Sequence, residues 1–377
     1  MHILMLATRN IYPIDAGFKK RIYHSGLALS KKHRVDLLIL DSWKGSSSYP
    51  FSDIFEFPMK GEDRIKGILS TYLLGHPLQS GYFFNPKALT FIKETQKHYD
   101  MIWIHHIRFS PYIPHIKKPF VIDFHDSIAL HYLQSMKYVQ SSVWKFIYKT
   151  EYPRLKRLEV LLSKKAYKSI TVSHIDSEFI YHNGGVYPTP IPMGINPKAL
   201  EEPFHQSREN IITFIGKLSY LPNKEGLLWY IRNIHYRVFK KYQTKLVIIG
   251  SGKEHIENEI SNFSGIELAG FVDNPYNIMA KARLNIAPVF IGAGIQNKIL
   301  EGLAVGTPTI TTPLGARPIH PKLRKYLFIG ENISEWLNII DRIIQADHWD
   351  KGQTTKKLMK QYYSWEKIHH QMVQIIT

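Results

Sequence analysis

The chain has 377 residues, of which 44% are hydrophobic and 13% aromatic, enough to fill the cores of two globular domains. It contains no cysteine, which excludes disulfides and thiolate metal sites, and no apolar run near the ~20 residues of a membrane-spanning helix. The formal charge of +18 favours anionic partners, unless the excess lysine serves only solubility. Nucleic acid ranks below nucleotide sugars and anionic lipid, because the sequence has no zinc-finger spacing, RNA-binding aromatic motif or Arg-rich tail. Without a signal-peptide pattern at Met1, we expect a cytoplasmic protein.

The first half of the chain alternates short buried strands with helical stretches. Strands are predicted at residues 2–8, 35–40, 101–105 and 120–124, and this alternation predicts an α/β fold with a parallel sheet covered on both faces. After the first strand, Gly17 precedes an amphipathic helix, so we expect it at the carboxyl edge of the sheet, where ligands bind. A simple turn glycine is the alternative.

The fourth of these predicted strands ends in the sequence DFHDS, which places His125 at the same edge. This position distinguishes His125 from the other histidines, of which the chain has 19 in all. We therefore predict that His125 lies in the active site. Asp126 is expected either to orient His125 or to cap the following helix.

Residues 138–167 mix aromatic and basic side chains, including Trp144 and Lys145. The mixture suits either the surface of an anionic bilayer or an ordinary amphipathic helix with one buried face. Pro153 is expected to interrupt a single long helix here. The proline-rich stretch at 186–197 predicts a domain boundary.

The most informative stretch lies at residues 284–315. An apolar strand runs into a loop with Gly292 and Gly294, and then into a helix that carries Lys298 and Glu301 in its first turns. Helix-terminal amides and a lysine attract phosphate, while a carboxylate one turn on can accept hydrogen bonds from ribose hydroxyls. This combination favours a nucleoside diphosphate site over an ordinary strand, loop and helix.

These residues resemble a known family. The pattern G-x-G-x-x-x-K-x-L-E-x-x-A-x-G-x-P, present from Gly292 to Pro308, resembles the donor site of retaining nucleotide-sugar glycosyltransferases of family four. Residues 214–231, FIGKLSYLPNKEGLLWYI, are similar to the start of the second domain in that family. The resemblance is close over residues 211–318 and looser before them. It implies the GT-B fold, two Rossmann-like domains facing across a cleft.

The resemblance also implies roles for particular residues. Catalysis would rest on His125 beside the transferred sugar and on Lys217, Lys298 and Glu301 at the donor. Neither a cofactor nor a metal ion is implied, and the sequence shows no Asp-x-Asp pair of the kind that holds a divalent ion. The implied donor-binding residues are Gly17, Gly216, Lys217, Val272, Gly294, Ile295, Gln296, Asn297, Lys298 and Glu301.

Two departures from the family pattern bear on these roles. The first of two glutamates in the usual motif is replaced by Ala293, so that a contact to the sugar is missing. Backbone amides of residues 294–296 would take over this role. The second basic residue of the family falls on Pro222. Lys298 or Lys224 would replace the lost charge, and we favour Lys298 because its helix places it beside the phosphate-binding amides.

The sequence thus predicts three segments: an acceptor-binding domain at 1–190, a donor-binding domain at 191–355, and a helical segment at 356–377 that crosses back to the first domain. The expected activity is a hexosyl transfer from a nucleoside diphosphate sugar to a hydroxyl group. The expected acceptor is a saccharide or lipid-linked saccharide of bacterial surface polysaccharide synthesis, with peripheral contact to an anionic membrane. The alternatives are a nucleotide-sugar epimerase or hydrolase, a non-catalytic polymer-binding protein, and an inactive partner subunit.

Overall fold

A computed structural model describes residues 1–136, 139, 141–292, 294–346 and 349–377. Residue contacts divide the chain into two units. The first unit combines Met1–Met193 with Ile368–Thr377, and the second comprises Gly194–Lys367. Each unit contains a sheet of parallel strands with helices between the strands, which confirms the predicted α/β class.

The first unit has a seven-stranded parallel sheet in the order β3-β2-β1-β4-β5-β6-β7. Its strands are β1 (His2–Ala7), β2 (Arg34–Ile39), β3 (Ile54–Glu56), β4 (Met101–His105), β5 (Phe120–Asp123), β6 (Lys168–Thr171) and β7 (Thr189–Pro190). Its helices before the boundary are α1 (Gly17–Ser30), α2 (Gly61–Tyr72), α3 (Leu78–Gly81), α4 (Pro86–Thr95), α5 (Ile128–Ser135), α6 (Ser142–Lys165) and α7 (His174–His182).

The second unit has a six-stranded parallel sheet in the order β10-β9-β8-β11-β12-β13. Its strands are β8 (Glu209–Ile215), β9 (Lys245–Ile249), β10 (Ile266–Gly270), β11 (Ala282–Ala287), β12 (Thr309–Thr311) and β13 (Phe328–Ile329). The helices from the boundary onward are α8 (Pro197–Glu201), α9 (Leu221–Tyr230), α10 (Tyr236–Tyr242), α11 (Glu257–Ile260), α12 (Tyr276–Lys281), α13 (Asn297–Ala304), α14 (Pro313–Ala316), α15 (Pro321–Arg324), α16 (Ile333–Gln345), α17 (Gly352–Tyr363) and α18 (Trp365–Gln374).

The central strands are buried on both faces, as a parallel sheet with helices on each side requires. In β1, every residue from Ile3 to Ala7 is fully buried, and in β4 all five residues are buried. Such strands appear in the sequence as continuous apolar runs, which is why they could be predicted. Their carboxyl ends meet at one edge of each sheet, so the loops that follow them are the natural places for binding residues.

Two predictions about the first unit were wrong. Pro153 does not interrupt a helix, because α6 continues through it for 24 residues. Leu155, Leu158 and Leu162 bury one face of that helix, and this packing outweighs the single backbone hydrogen bond that a proline removes. Strand β3 was not predicted, so DFHDS follows the fifth strand rather than the fourth.

Candidate active site

The loop after β8 begins the candidate donor site at the carboxyl edge of the second sheet. Gly216 and Lys217 follow this strand directly, and the side chain of Lys217 is exposed. Gly250, which follows the neighbouring strand β9, has φ 143°. A Cβ atom at Gly250 would collide with the carbonyl oxygen of Gly216. Glycine at this position therefore lets the two loops lie in contact.

The loop between β11 and α13 reaches the same edge. Gly292 and Gly294 have φ values of 137° and 72°, backbone conformations that favour glycine. Gln296 precedes the first turn of α13 in an extended conformation, and no side chain among the described residues caps that turn. Uncapped amides at the start of a helix attract anions. Ala293, the predicted substitution for a glutamate, lies outside the described residues.

Lys298 is buried in this region, with only 7% of its surface exposed. Its ammonium group donates a hydrogen bond to the side-chain oxygen of Asn223 and lies 5.1 Å from the centre of the Phe214 ring. Burial lowers the pKa of Lys298 to about 8, although the carboxylate of Glu301 opposes the shift. The side-chain nitrogen of Asn223 in turn donates to the carbonyl oxygen of Lys217 at 3.0 Å. Asn223 thus links the backbone of one predicted phosphate-binding lysine to the side chain of the other.

Lys224, the alternative replacement for the charge lost at Pro222, has a different partner. Its ammonium nitrogen lies 2.6 Å from a carboxylate oxygen of Glu259. The lysine and the glutamate are both only partly exposed, and the carboxylate also lies 2.7 Å from Arg232. The geometry therefore favours Lys298 over Lys224 as the second lysine of the site.

Glu301 lies three residues beyond Lys298 on α13 and is half-buried. The hydroxyl of Tyr276 donates to its carboxylate at 3.4 Å. Burial, followed by the charge of Glu301, raises the pKa of Tyr276, so this tyrosine stays a neutral donor at physiological pH. Val272 and Ile295 pack beside these residues on the same apolar cluster. An acidic acceptor of hydrogen bonds thus stands next to an apolar wall and an uncapped helix terminus.

His125 and Gly17 belong to the first unit, where the end of β5 positions the histidine. His125 has φ 64° and is half-buried, and its Nε2 lies 3.1 Å from Nδ1 of His105 at the end of β4. Burial lowers the pKa of His125 to about 3, so its imidazole is neutral at pH 7. Gly17 is the first residue of α1, and the loop before it follows β1.

Behind this histidine pair lies a buried ion pair that was not predicted. The guanidinium of Arg21, 1% exposed, bonds both carboxylate oxygens of Asp123, with Nε to Oδ2 at 2.8 Å and Nη2 to Oδ1 at 3.3 Å. Burial alone would raise the pKa of Asp123, but Arg21 and the neighbouring histidines hold it well below its usual range. Oδ2 also lies 3.5 Å from His105 Nδ1. The order Arg21, Asp123, His105, His125 is therefore a continuous polar chain.

His105, Asp123 and His125 have potential ligand atoms within 4.8 Å of one another, which is the spacing of a metal site. The contacts of Asp123 argue against a cation there. Arg21 places a positive charge against both oxygens of the carboxylate. A metal ion at this position would meet the repulsion of the guanidinium in a buried environment. The cluster fits the positioning of a histidine better than the binding of a cation.

The capping role predicted for Asp126 is wrong. Ser127 caps α5 instead, because its Oγ accepts a hydrogen bond from the Leu130 amide at 3.1 Å. The His125 imidazole has a hydrogen bond with His105, and the centre of the His106 ring lies 5.9 Å from its own. Asp126 is one of the residues that line a cavity together with His125.

Part of the chain matches a known protein family, and the whole chain resembles several solved structures. The profile of the family described as glycosyl transferases group 1 matches residues 209–346, which include Lys217, Lys298 and Glu301. Residues 209–346 form a group 1 glycosyltransferase domain. The chain is thus an enzyme of the transferase class. A search of curated protein sequences gave no match.

Solved structures with similar folds span the whole chain, including the part outside the group 1 domain. Sucrose-phosphate synthase from Thermosynechococcus elongatus is 16% identical with a TM-score of 0.70, over 100% of this chain and 98% of that one. HepE from Anabaena, solved with UDP and glucose, is 14% identical with a TM-score of 0.67, over 99% and 98%. WaaG, a glycosyltransferase involved in lipopolysaccharide biosynthesis, is 13% identical with a TM-score of 0.67, over 98% and 99%. At these identities the likeness shows the fold, which is the predicted GT-B fold.

The structure brings together most of the residues predicted for the group 1 domain. Gly216 and Lys217 follow β8, Val272 follows β10, and residues 294–301 follow β11, all at one edge of the sheet. The contributions of Asn223 and Tyr276 were missed, because a neutral side chain far away in sequence gives no motif. A signal for Arg21 did exist, since it is a charged residue beside Ile22 on the apolar face of α1.

Two buried acids hold the turn that carries His125. Glu159 accepts hydrogen bonds from the hydroxyl of Ser127 at 2.7 Å and from the amide of Ala129 at 3.1 Å. Asp176 accepts from the amide of Ser127 at 2.9 Å. Burial raises the pKa of Glu159 to about 8 and that of Asp176 to about 7, so both acids gain protons on folding.

The raised pKa of Glu159 makes the stability of the protein depend on pH. Because the pKa of Glu159 rises from 4.5 to about 8 on folding, the folded state binds an extra proton between these values, and stability falls as pH rises through them. Glu159→Gln mimics the protonated acid and should flatten this decline, so that the variant has the higher melting temperature at pH 8.5 but not at pH 5. Glu94→Gln, at an exposed position on α4, is the control and should follow the wild type at both pH values. Parallel pH profiles for wild type and Glu159→Gln would contradict the prediction.

Proposed function

We propose that this enzyme transfers a sugar from a nucleoside diphosphate sugar to a hydroxyl group of an acceptor, with retention of configuration at the sugar. The observation that carries the proposal is the start of α13. There an uncapped helix terminus, a buried lysine and a half-buried carboxylate occupy one face of the helix at the carboxyl edge of the sheet. This combination of donors and acceptor suits a diphosphate joined to a ribose.

The main chemical task is to stabilise the diphosphate as the glycosidic bond breaks and negative charge builds on its oxygens. We assign that task to Lys217, Lys298 and the amides of residues 294–297. Lys298 has a pKa of about 8 before a nucleotide binds, and a bound diphosphate would raise this value and keep the ammonium charged. Glu301 would accept hydrogen bonds from the ribose hydroxyls. These charges do the work of a metal ion, so we propose that the reaction needs neither metal nor cofactor.

His125 is assigned to the transferred sugar. A neutral imidazole can donate or accept one hydrogen bond with a sugar hydroxyl, and the burial that lowers its pKa to about 3 keeps it neutral over the physiological range. The polar chain from Arg21 through Asp123 and His105 would fix the orientation of that ring. A protonated histidine is thereby avoided beside a developing oxocarbenium ion, where positive charge would be repelled.

The donor is tested directly by titrating the full-length protein with UDP, GDP and ADP in a calorimeter. UDP comes first, because HepE, a protein with a similar fold, was solved with UDP. We expect one nucleoside diphosphate to bind in the micromolar range and the matching nucleotide sugar to be consumed when an acceptor is added. Failure of all three nucleotides, and of their sugar forms, to bind would refute the proposed function.

An apolar surface on the first unit bears on the acceptor. We call it the α2–α6 surface, because it combines the exposed side of α2 with the first half of α6. Tyr72 of α2 meets Arg154 of α6, whose guanidinium lies 3.7 Å from the centre of the tyrosine ring. Leu73 and Leu74, just after α2, are 90% and 76% exposed. The other exposed apolar and basic side chains of this surface are Ile65, Lys66, Leu69, Val143, Trp144, Lys145, Phe146 and Lys149.

Apolar and basic side chains together fit the interface of an anionic bilayer, where the former insert and the latter meet headgroups. We therefore propose peripheral membrane contact through the α2–α6 surface and an acceptor saccharide linked to a lipid, as in the assembly of bacterial surface polysaccharides. None of the helices within the described residues qualifies as a membrane span.

A vesicle experiment tests the α2–α6 surface. The double variant Leu73→Ser/Leu74→Ser should bind vesicles with 30% anionic lipid at least tenfold more weakly in a sedimentation assay, because each inserted leucine is worth roughly 1.5–3 kcal/mol at full burial. Val186→Ser changes an exposed apolar residue elsewhere in the first unit and is the control. Wild-type binding by the double variant, or equal binding to neutral vesicles, would contradict the proposal.

A further inference from the structure

The first unit contains a cavity whose lining indicates the chemistry of the acceptor. It has a volume of about 210 Å³ and lies at the carboxyl ends of β1, β4 and β5. We call it the cationic pocket, and the residues that define it are Thr8, Arg9, His106, Arg108, His125 and Asp126. Whole-ligand sites usually exceed roughly 300 Å³, so this pocket has room for one group of a larger substrate.

Two arginines give the cationic pocket its charge. The guanidinium groups of Arg9 and Arg108 lie 5.6 Å and 5.1 Å from the centre of the same Phe83 ring, and both residues line the pocket. Arg108 is further held by Gln79, whose side-chain oxygen accepts from its Nε at 3.3 Å. Burial, followed by the charge of Arg9, lowers the pKa of Arg108 to about 10, so the guanidinium of Arg108 stays charged at pH 7.

The acids near the cationic pocket do not balance this charge. Asp126 is the one carboxylate among the residues that line it, against two guanidinium groups. Asp123, just behind, is already neutralised by Arg21. Two like charges held together with one counter-charge repel each other until an anion joins them. A phosphate or carboxylate group would supply the missing negative charge and could accept from both guanidinium groups.

His106 adds a second and independent observation. Its Nδ1 is buried and has no hydrogen-bond partner among the described residues. Burial and the charge of Arg108 lower its pKa well below the ordinary value, so the ring is neutral and can donate one hydrogen bond. His106 and His125, whose rings lie 5.9 Å apart, both have positive φ, at 79° and 64°. Such backbone strain in residues other than glycine is frequent at binding sites.

We propose that the acceptor carries an anionic group, a phosphate or a carboxylate, and that Arg9, Arg108 and His106 bind this group in the cationic pocket. The inference rests on the proposed transferase function and specifies its acceptor. Since His125 lines the same pocket, the anionic group would lie next to the hydroxyl that receives the sugar. Uncharged saccharides would lack this anchor and be poor acceptors.

The test uses the full-length protein and three soluble probes: glucose 6-phosphate, glucuronate and glucose. Saturation-transfer NMR should show binding of the two anionic sugars and much weaker binding of glucose. Arg9→Gln changes an exposed side chain and should weaken glucose 6-phosphate at least tenfold, and Arg108→Gln should do the same. Arg237→Gln, exposed on α10 of the second unit, is the matched control and should leave the affinity unchanged.

The binding of UDP, GDP and ADP is measured on the same samples. These measurements test the proposed transferase function separately from the anionic acceptor. Nucleotide binding together with equal affinity for glucose and glucose 6-phosphate, or with no effect of Arg9→Gln and Arg108→Gln, overturns the anionic acceptor alone. Loss of all nucleotide binding in the wild type overturns the proposed function and this inference with it.

Dodecyl phosphate, used below its micelle concentration, distinguishes the source of the anion. Tighter binding than glucose 6-phosphate indicates a lipid-linked phosphate, and weaker binding a soluble one, and both results support the proposal.

Discussion

Glu301→Gln is expected to weaken the binding of nucleoside diphosphates about 10²-fold, with little change in stability. The carboxylate offers two acceptor oxygens to a ribose, whereas the amide replaces one of them with a donor and removes the charge. Hydrogen bonds to charged groups contribute roughly 1.5–3 kcal/mol each, and 1.4 kcal/mol corresponds to about a factor of ten in affinity. The remaining amide oxygen can still accept from the hydroxyl of Tyr276, so the local fold should persist.

Calorimetric titration of the preferred nucleoside diphosphate measures this effect. Glu225→Gln is the matched control, because Glu225 is exposed on α9 of the same group 1 domain. The control should bind like the wild type. If Glu301→Gln bound the nucleotide as tightly as Glu225→Gln, the ribose contact assigned to Glu301 would have to be abandoned.

Lys298→Met is expected to lower kcat/KM by about 10²–10³-fold, the usual consequence of losing one group that stabilises charge in a transition state. Methionine keeps most of the apolar stem that packs near Phe214. The melting temperature should not fall by more than a few degrees, because a buried ammonium with a pKa lowered to about 8 is itself a cost to folding. Lys298→Ala would leave a cavity and destabilise the fold, so that a loss of activity could not be separated from a loss of folded protein.

Lys224→Met provides the decisive comparison for Lys298→Met. Both lysines stand near the position where the family pattern has its second basic residue, but Lys224 is paired with Glu259. Steady-state kinetics should therefore show a small effect for Lys224→Met and a large one for Lys298→Met. The reverse order would assign the missing charge to Lys224 and would overturn our interpretation of the buried lysine.

The fold of both units could be predicted well where burial is continuous along the sequence. The strand predicted at residues 101–105 coincides with β4, and the one at 35–40 is displaced from β2 by a single residue. Strand β3 was missed because it has three residues, none of them fully buried, and its pairing with β2 at the edge of the sheet defines it. Short edge strands depend on a neighbour and leave little pattern of their own.

The residues of the candidate site fall into two groups, those close together in the sequence and those brought together only by the fold. Gly292, Gly294, Lys298 and Glu301 lie within ten residues, so local pattern was enough to place them together. Asn223 lies 75 residues before Lys298, and Arg21 lies 102 residues before Asp123. Contacts at such separations are fixed by the order of strands in a sheet, which a single sequence does not specify. These contacts could therefore be identified only in the structure.

The first unit is not a continuous piece of chain, and this affects how it is made. Residues 1–193 lack a part of their own unit until 368–377 are added, where the sulfur of Met372 accepts a hydrogen bond from Ser25 on α1 at 3.5 Å. The second unit, in contrast, is complete once residue 367 has been synthesised. The second unit thus forms from one continuous stretch of chain, whereas the first unit needs segments from both sides of that stretch. An expression fragment that stops near residue 193 would be an unfinished protein rather than an isolated domain.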